Sequence, residues 1–133
     1  MKFSECLSIL FFFLVLTSCT KEVDKPPLEL YGSWDVITKI YENPDGSEDY
    51  TRNEGKGGTI WTIDEESINY DTTFGTSGLG FGWGEAYKYH DGEINLFLSG
   101  RHKLVDVNNR KLHLIKVDEG NGNIHLYFER YEE

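Results

Sequence analysis

Cysteine is nearly absent. The 133 residues contain two, Cys6 and Cys19, and both lie in the first nineteen. Everything downstream therefore lacks a thiol catalyst, a cysteine metal site and any disulfide, and must hold its fold by packing alone. Long apolar runs are missing as well. Leu7 to Leu16 (LSILFFFLVL) is ten residues, about half of what a membrane-crossing helix needs. Basic residues are few, 13 Lys and Arg against 23 Asp and Glu, for a formal net charge of −10. Such a chain is repelled by phosphate backbones and anionic headgroups, which argues against nucleic acid as a partner. His90, His102, His113 and His125 form no His-x-His or His-x-x-x-His pair, so no local zinc spacing exists and no metal site is expected; their default place is the surface. The oxygens of Asp118 to Asn123 (DEGNGN) do not alternate as a calcium loop requires. No serine sits in a Gly-x-Ser-x-Gly turn. The acidic pairs Glu48-Asp49 and Glu65-Glu66 fall in or beside turns, where charge is solvated. The expectation is a protein with no catalytic residues and no cofactor.

What is present begins at the N-terminus. Lys2, the apolar run and then Leu16-Thr17-Ser18-Cys19 resemble a signal peptide ending in the bacterial lipobox. The resemblance implies cleavage before Cys19, acylation of its sulfur and amine, and membrane attachment through those lipids. Each buried methylene contributes about 0.8 kcal/mol, so two or three chains hold a protein firmly. Thr20, rather than aspartate, after the cysteine leans towards the outer membrane. The expected organisation is a lipoprotein signal over 1–18, a lipidated cysteine and tether over 19–27 (CTKEVDKPP), and one domain over 28–133. About a hundred residues suffice for a single modest core.

After Leu28 no twelve-residue stretch has helical periodicity. Short alternating runs separated by turn chemistry appear instead. Leu30 to Tyr41 alternates, with Trp34, Val36, Thr38 and Ile40 expected on one face. Asn43-Pro44-Asp45-Gly46 is a turn. Gly58–Ile63 and Ser67–Thr72 flank Asp64-Glu65-Glu66. Glu85–His90 and Glu93–Leu98 flank Asp91-Gly92, a strong hairpin signal. Ser99-Gly100, Asn108-Asn109 and Glu119–Asn123 lead into three more strands. That makes eight strands, or nine if Glu48–Asn53 pairs. Hairpin-length connections predict an all-β, up-and-down antiparallel meander, and closing it into a small barrel removes its exposed edges. A sandwich is the second choice.

Leu30, Gly32 and Trp34 (LYGSW), with the closing Phe128-Glu129-Arg130-Tyr131, resemble the short lipocalin-like domains of bacterial lipoproteins. The resemblance implies a lipocalin-like barrel that binds a small hydrophobic molecule, with Arg130 packed over Trp34 as a structural pair and Gly32 allowing close approach of the backbone. The domain is short for a lipocalin and the family's Thr-Asp-Tyr turn is not visible, so a filled interior is the competing expectation. Such a barrel would serve as an accessory subunit of a cell-surface complex, contacting a protein partner through an exposed face.

Phe74 to Gly84 (FGTSGLGFGWG) alternates glycine with large apolar groups. No helix follows, so it is not a phosphate loop. It reads either as a tightly curled strand with its aromatics in the core or as a flap bringing Leu79, Phe81 and Trp83 to the mouth of the barrel. Those three, with Trp61 and Tyr87, are the candidate ligand contacts.

Overall fold

The computed structural model describes residues 24–74 and 79–132. The apolar run, Cys19 and the first part of the tether lie outside the described residues, as do Gly75 to Gly78 and the side chains of Thr73, Phe74 and Leu79. A single 3-10 turn, Leu28–Leu30, precedes nine strands: β1 Gly32–Glu42, β2 Glu48–Asn53, β3 Thr59–Ile63, β4 Ser67–Phe74, β5 Leu79–His90, β6 Glu93–Leu96, β7 Gly100–Val107, β8 Lys111–Lys116 and β9 Ile124–Arg130. From β3 to β9 every strand pairs antiparallel with its neighbour in sequence, and β9 returns to pair with β1. Eight strands thus close into a barrel, although β5 pairs with β6 only through Tyr87 to His90 and its first half is bonded to β4 alone. The ninth, β2, pairs with β1 alone in the sheet order and is exposed along its whole length. It lies end to end with β3 on the same edge of β1, since β1 pairs through Thr38 to Glu42 with β2 and through Gly32 to Asp35 with β3.

The turns follow from their residues. Asp91 and Gly92 both take positive φ, 49° and 74°, as a two-residue hairpin loop requires. Of the stretch read as a curled strand or a flap, Leu79 to Gly84 form the start of a twelve-residue strand, β5, and Phe74 ends β4. From Phe81 on, its odd positions share the inner face, while Gly82 and Gly84 lie on the other. A Cβ on Gly84 would overlap the end of the Asn69 side chain of β4, which would have to move aside.

The alternation expected for β1 does not run through. The pairing of β1 with β9 shifts between Val36 and Thr38. This bulge adds one residue and reverses the faces beyond it. Trp34 and Val36 are buried inside the barrel. Past the bulge Lys39 and Tyr41, not Thr38 and Ile40, turn inward.

One end is sealed. Trp34 is fully buried and its Nε1 donates to the Leu30 carbonyl at 2.8 Å. Leu30, also fully buried, is tucked beneath it by the 3-10 turn. The Arg130 guanidinium lies 3.7 Å from the Trp34 ring centroid and donates to the carbonyls of Tyr31 and Glu29, both at 2.7 Å. Gly32 has φ +125°, and a Cβ there would overlap that guanidinium. Val36, Ile63, Ile68, Ile94, Leu112, Leu114 and Phe128 fill the space above. The N-terminal segment is fastened at this same end: the Asp24 carboxylate accepts from the Asp91 amide at 2.6 Å in the β5–β6 turn and lies 3.8 Å from His90 Nδ1.

Candidate functional site

The other end is open. A cavity of about 380 Å3 enters the barrel there, lined from β1, β3, β4, β5, β7, β8, β9 and the β6–β7 turn. Register explains its walls. Trp34 is opposite Trp61, Trp61 opposite Tyr70, and Tyr70 opposite Trp83. Strands of a closed barrel are tilted and staggered, so this one row of cross-strand neighbours climbs from the sealed end to the mouth. Trp61 meets Tyr70 edge to face at 4.8 Å and Phe128 at 5.0 Å, and Tyr70 lies 4.4 Å from Trp83 at 33°. A second row crosses the opposite wall, with Tyr41 opposite Ile124, Ile124 opposite Lys116, and Lys116 opposite His102.

A buried carboxylate organises the remaining wall. Glu85 points inward from β5, 6% exposed. Its Oε1 accepts from the backbone amides of Leu98 and Ser99 at 3.2 and 2.9 Å, and its Oε2 from the Ser99 hydroxyl at 2.7 Å. These bonds hold the β6–β7 turn against the cavity, which Ser99 lines. The turn carries Phe97 and Leu98 outward, 84% and 68% exposed.

Two polar groups face the interior with capacity to spare. His102 is 1% exposed, not the surface residue expected from its sequence context. Its Nδ1 lies 3.1 Å from the Gly100 carbonyl. A carbonyl only accepts, so Nδ1 carries the proton and Nε2 of the neutral ring is an acceptor. Burial pushes the His102 pKa down, so the ring is neutral at pH 7. Tyr70 is 5% exposed, and its hydroxyl lies near Glu85 and Ser99 without reaching hydrogen-bond geometry with either. Burial first, and then the charge of Glu85, raises its pKa.

The shift of His102 has a consequence for stability. The unfolded chain holds this histidine near its ordinary value of 6.5, above the folded value, so as pH falls below about 6.5 the unfolded state binds more protons and stability declines. His113 is displaced in the same direction, by burial and by His125. Urea unfolding at pH 7.5 and pH 5.0 is expected to show a loss that shrinks in the His102→Gln variant. An unchanged pH dependence in that variant would refute the assignment.

The five residues singled out as candidate contacts are distributed unevenly. Trp61 and Trp83 line the cavity. Phe81 lies farther out on the same face of β5, 61% exposed and not among the lining residues. The side chain of Leu79 is outside the described residues. Tyr87 belongs to the sealed end. Its hydroxyl donates to the Asp64 carbonyl at 2.5 Å, burial lifts its pKa to about 12, and it borders a groove between β5 and the N-terminal segment. Tyr41, Tyr70, His102, Lys39 and Lys116 line the cavity without having been expected there.

Among the remaining histidines, His113 and His125 meet on the outer face, Nε2 to Nδ1 at 2.9 Å, and His125 Nε2 hydrogen-bonds Glu42. Tyr127 stacks on His113 at 4.2 Å. Among the described residues no three candidate ligands are placed to hold a metal ion.

No family model and no curated protein sequence matches the chain. Solved structures do. A lipocalin-like protein from Bacteroides uniformis superposes with a TM-score of 0.55 at 16% identity, covering 77% of this chain and 99% of its own. A protein from Bacteroides eggerthii gives 0.51 at 18% identity, covering 76% and 98%. At these identities the likeness is one of fold.

Proposed function

From a lipocalin-like barrel sealed at one end and open at the other, we propose that this protein binds a small hydrophobic molecule, without catalysis, while tethered to the outer membrane of a bacterial envelope by lipids on Cys19. One observation supports the binding reading above all. The open end holds a cavity of about 380 Å3 walled by Tyr41, Trp61, Tyr70 and Trp83. Ligand sites of proteins are concave, mostly apolar, and fall at roughly 300–1,000 Å3. A barrel acting only as an accessory subunit needs no such space, and the cavity favours the ligand reading over that one.

The test is native mass spectrometry of the protein purified from its host, beside a Thr59→Trp variant that fills the lip. A mass adduct on the parent protein, absent from the variant, is the expected result. No adduct, together with no heat of binding for any apolar probe, would remove the reading.

Anchoring rests on the Leu16-Thr17-Ser18-Cys19 stretch. Cys19→Ala is expected to abolish palmitate labelling and to move the protein out of the outer-membrane fraction. Unaltered labelling would refute it.

A further inference from the structure

The charge of the side chains that line the cavity runs against the charge of the chain. The net charge is −10, yet among the described residues the side chains lining the cavity include two lysines and no carboxylate, Glu85 lying behind Ser99 with its oxygens engaged by the β6–β7 turn. Lys116 is on the inner face of β8, between His102 and Ile124 in the register, and no ion pair engages it among the described residues. Lys39 reaches the lip through the β1 bulge. Its one ion-pair partner, Glu54, lies 3.6 Å away and is shared with Arg52 at 3.1 Å. A lysine such as Lys116, with no carboxylate partner among the described residues, at the rim of an aromatic-walled pocket in an acidic protein, is poorly matched to an uncharged ligand. It suits a ligand that brings the missing negative charge.

The body of the ligand is indicated by the walls. Tyr70 and Trp83 lie tilted against one another and Trp61 presents its edge, surfaces that favour a flat ring, which stacks or meets edges. Opposite Lys116 in the register, His102 Nε2 accepts but cannot donate. A carboxylate turned towards it would meet a lone pair, so the anionic end of a ligand belongs at the lysines and the ring end inside.

We infer that the ligand class is the small aromatic acid: a flat apolar ring laid against the contiguous surface of Trp61, Tyr70 and Trp83 and a carboxylate or similar anion at the Lys116 and Lys39 ammonium groups. This rests on the cavity being the binding site. An aromatic acid enters ring first and its charge stays near solvent, where an ammonium partner needs little desolvation. Arginine would hold the anion in a fixed fork. The flexible ammonium groups set charge but not geometry, so the site selects for an anion and tolerates differences in its shape.

Isothermal titration of the full chain with naphthalene-2-acetate and naphthalene-2-acetamide separates the two claims, because the probes share a ring and differ in charge. The acid is expected to bind about tenfold more tightly, the range of a charge-assisted hydrogen bond. Lys116→Met is expected to bring the two within about twofold, Lys116→Arg to keep the preference, and Trp83→Ala to weaken both. Equal binding of acid and amide, unaltered by Lys116→Met, overturns the inference and leaves the cavity as the site. No binding of either probe overturns both. Preference for the acid that survives Lys116→Met and Lys39→Met together also overturns it, since the charge would then be read elsewhere.

Discussion

Trp34→Ala lowers the stability of the domain by about 3–5 kcal/mol, the range for truncating a fully buried tryptophan. Three losses combine. The cavity left in the floor has Arg130 on one side and Leu30 on the other. The Leu30 carbonyl loses its indole donor. The guanidinium loses the ring it covers, a contact that contributes about 2 kcal/mol when desolvated. A domain of this size has about 5–15 kcal/mol in all, and each kcal/mol shifts its midpoint by about 4–8 °C, so a drop on the order of 15–30 °C is expected by scanning calorimetry. Trp34→Phe keeps a ring under the guanidinium, loses the hydrogen bond and costs less. Arg130→Lys keeps the charge but not the paired bonds to the Tyr31 and Glu29 carbonyls, and falls between. If Trp34→Ala unfolds within about 1 kcal/mol of the parent, the sealed end is not what holds the barrel shut.

Glu85→Ala is expected to cost about 2–4 kcal/mol, the sum of several stranded donors, and to loosen one wall of the cavity. Its carboxylate takes three hydrogen bonds from two successive residues, Leu98 and Ser99. Without it the Ser99 amide and hydroxyl face the inside of the barrel unpaired, although the Leu98 amide, on an exposed residue, can turn to water. Hydrogen exchange separates this local effect from general destabilisation. The amides of Leu98 and Ser99 should exchange at least about tenfold faster, while those of β8 and β9 follow the global loss alone. Glu85→Gln retains an oxygen for the amides and is expected to behave between the two. Protection at Ser99 that persists in Glu85→Ala would mean that the turn is held by something else. Ser99 lines the cavity, so ligand affinity should fall along with the order of the turn.

The meander was legible because its turns are chemically explicit. Asp91-Gly92 and Asn108-Asn109 mark where the chain reverses, and an even run of hairpins leaves closure as the way to remove both edges. Trp61 and Trp83 stood out because they sit on alternating stretches beside glycine or threonine. Lys39 and Lys116 did not, because a lysine in a strand reads as solvent-facing. The β1 bulge defeats parity altogether: a single extra residue between Val36 and Thr38 transfers Lys39 and Tyr41 to the inside, and nothing in the local composition announces it. The same holds in β7, where the register shifts between Leu104 and Asp106. His102 stays on the inner face while His113 meets His125 outside. Residues such as Tyr70 and His102, more than thirty apart in the chain, become neighbours of one cavity only once the ribbon is rolled, and that proximity has no counterpart in one-dimensional spacing.

With the proposed anchor at Cys19, the fastening of Asp24 beside the β5–β6 turn would fix a direction for traffic. Five residues from Cys19 to Asp24 reach at most about 18 Å, whereas β5 alone rises about 40 Å along its own tilted path towards the opposite pole. Were the chain anchored through Cys19 as proposed, it would stand with its back to the bilayer and its doorway facing the aqueous compartment. Its cargo would arrive by diffusion or be handed over by a soluble carrier, and lipids from its own leaflet would have no short route in.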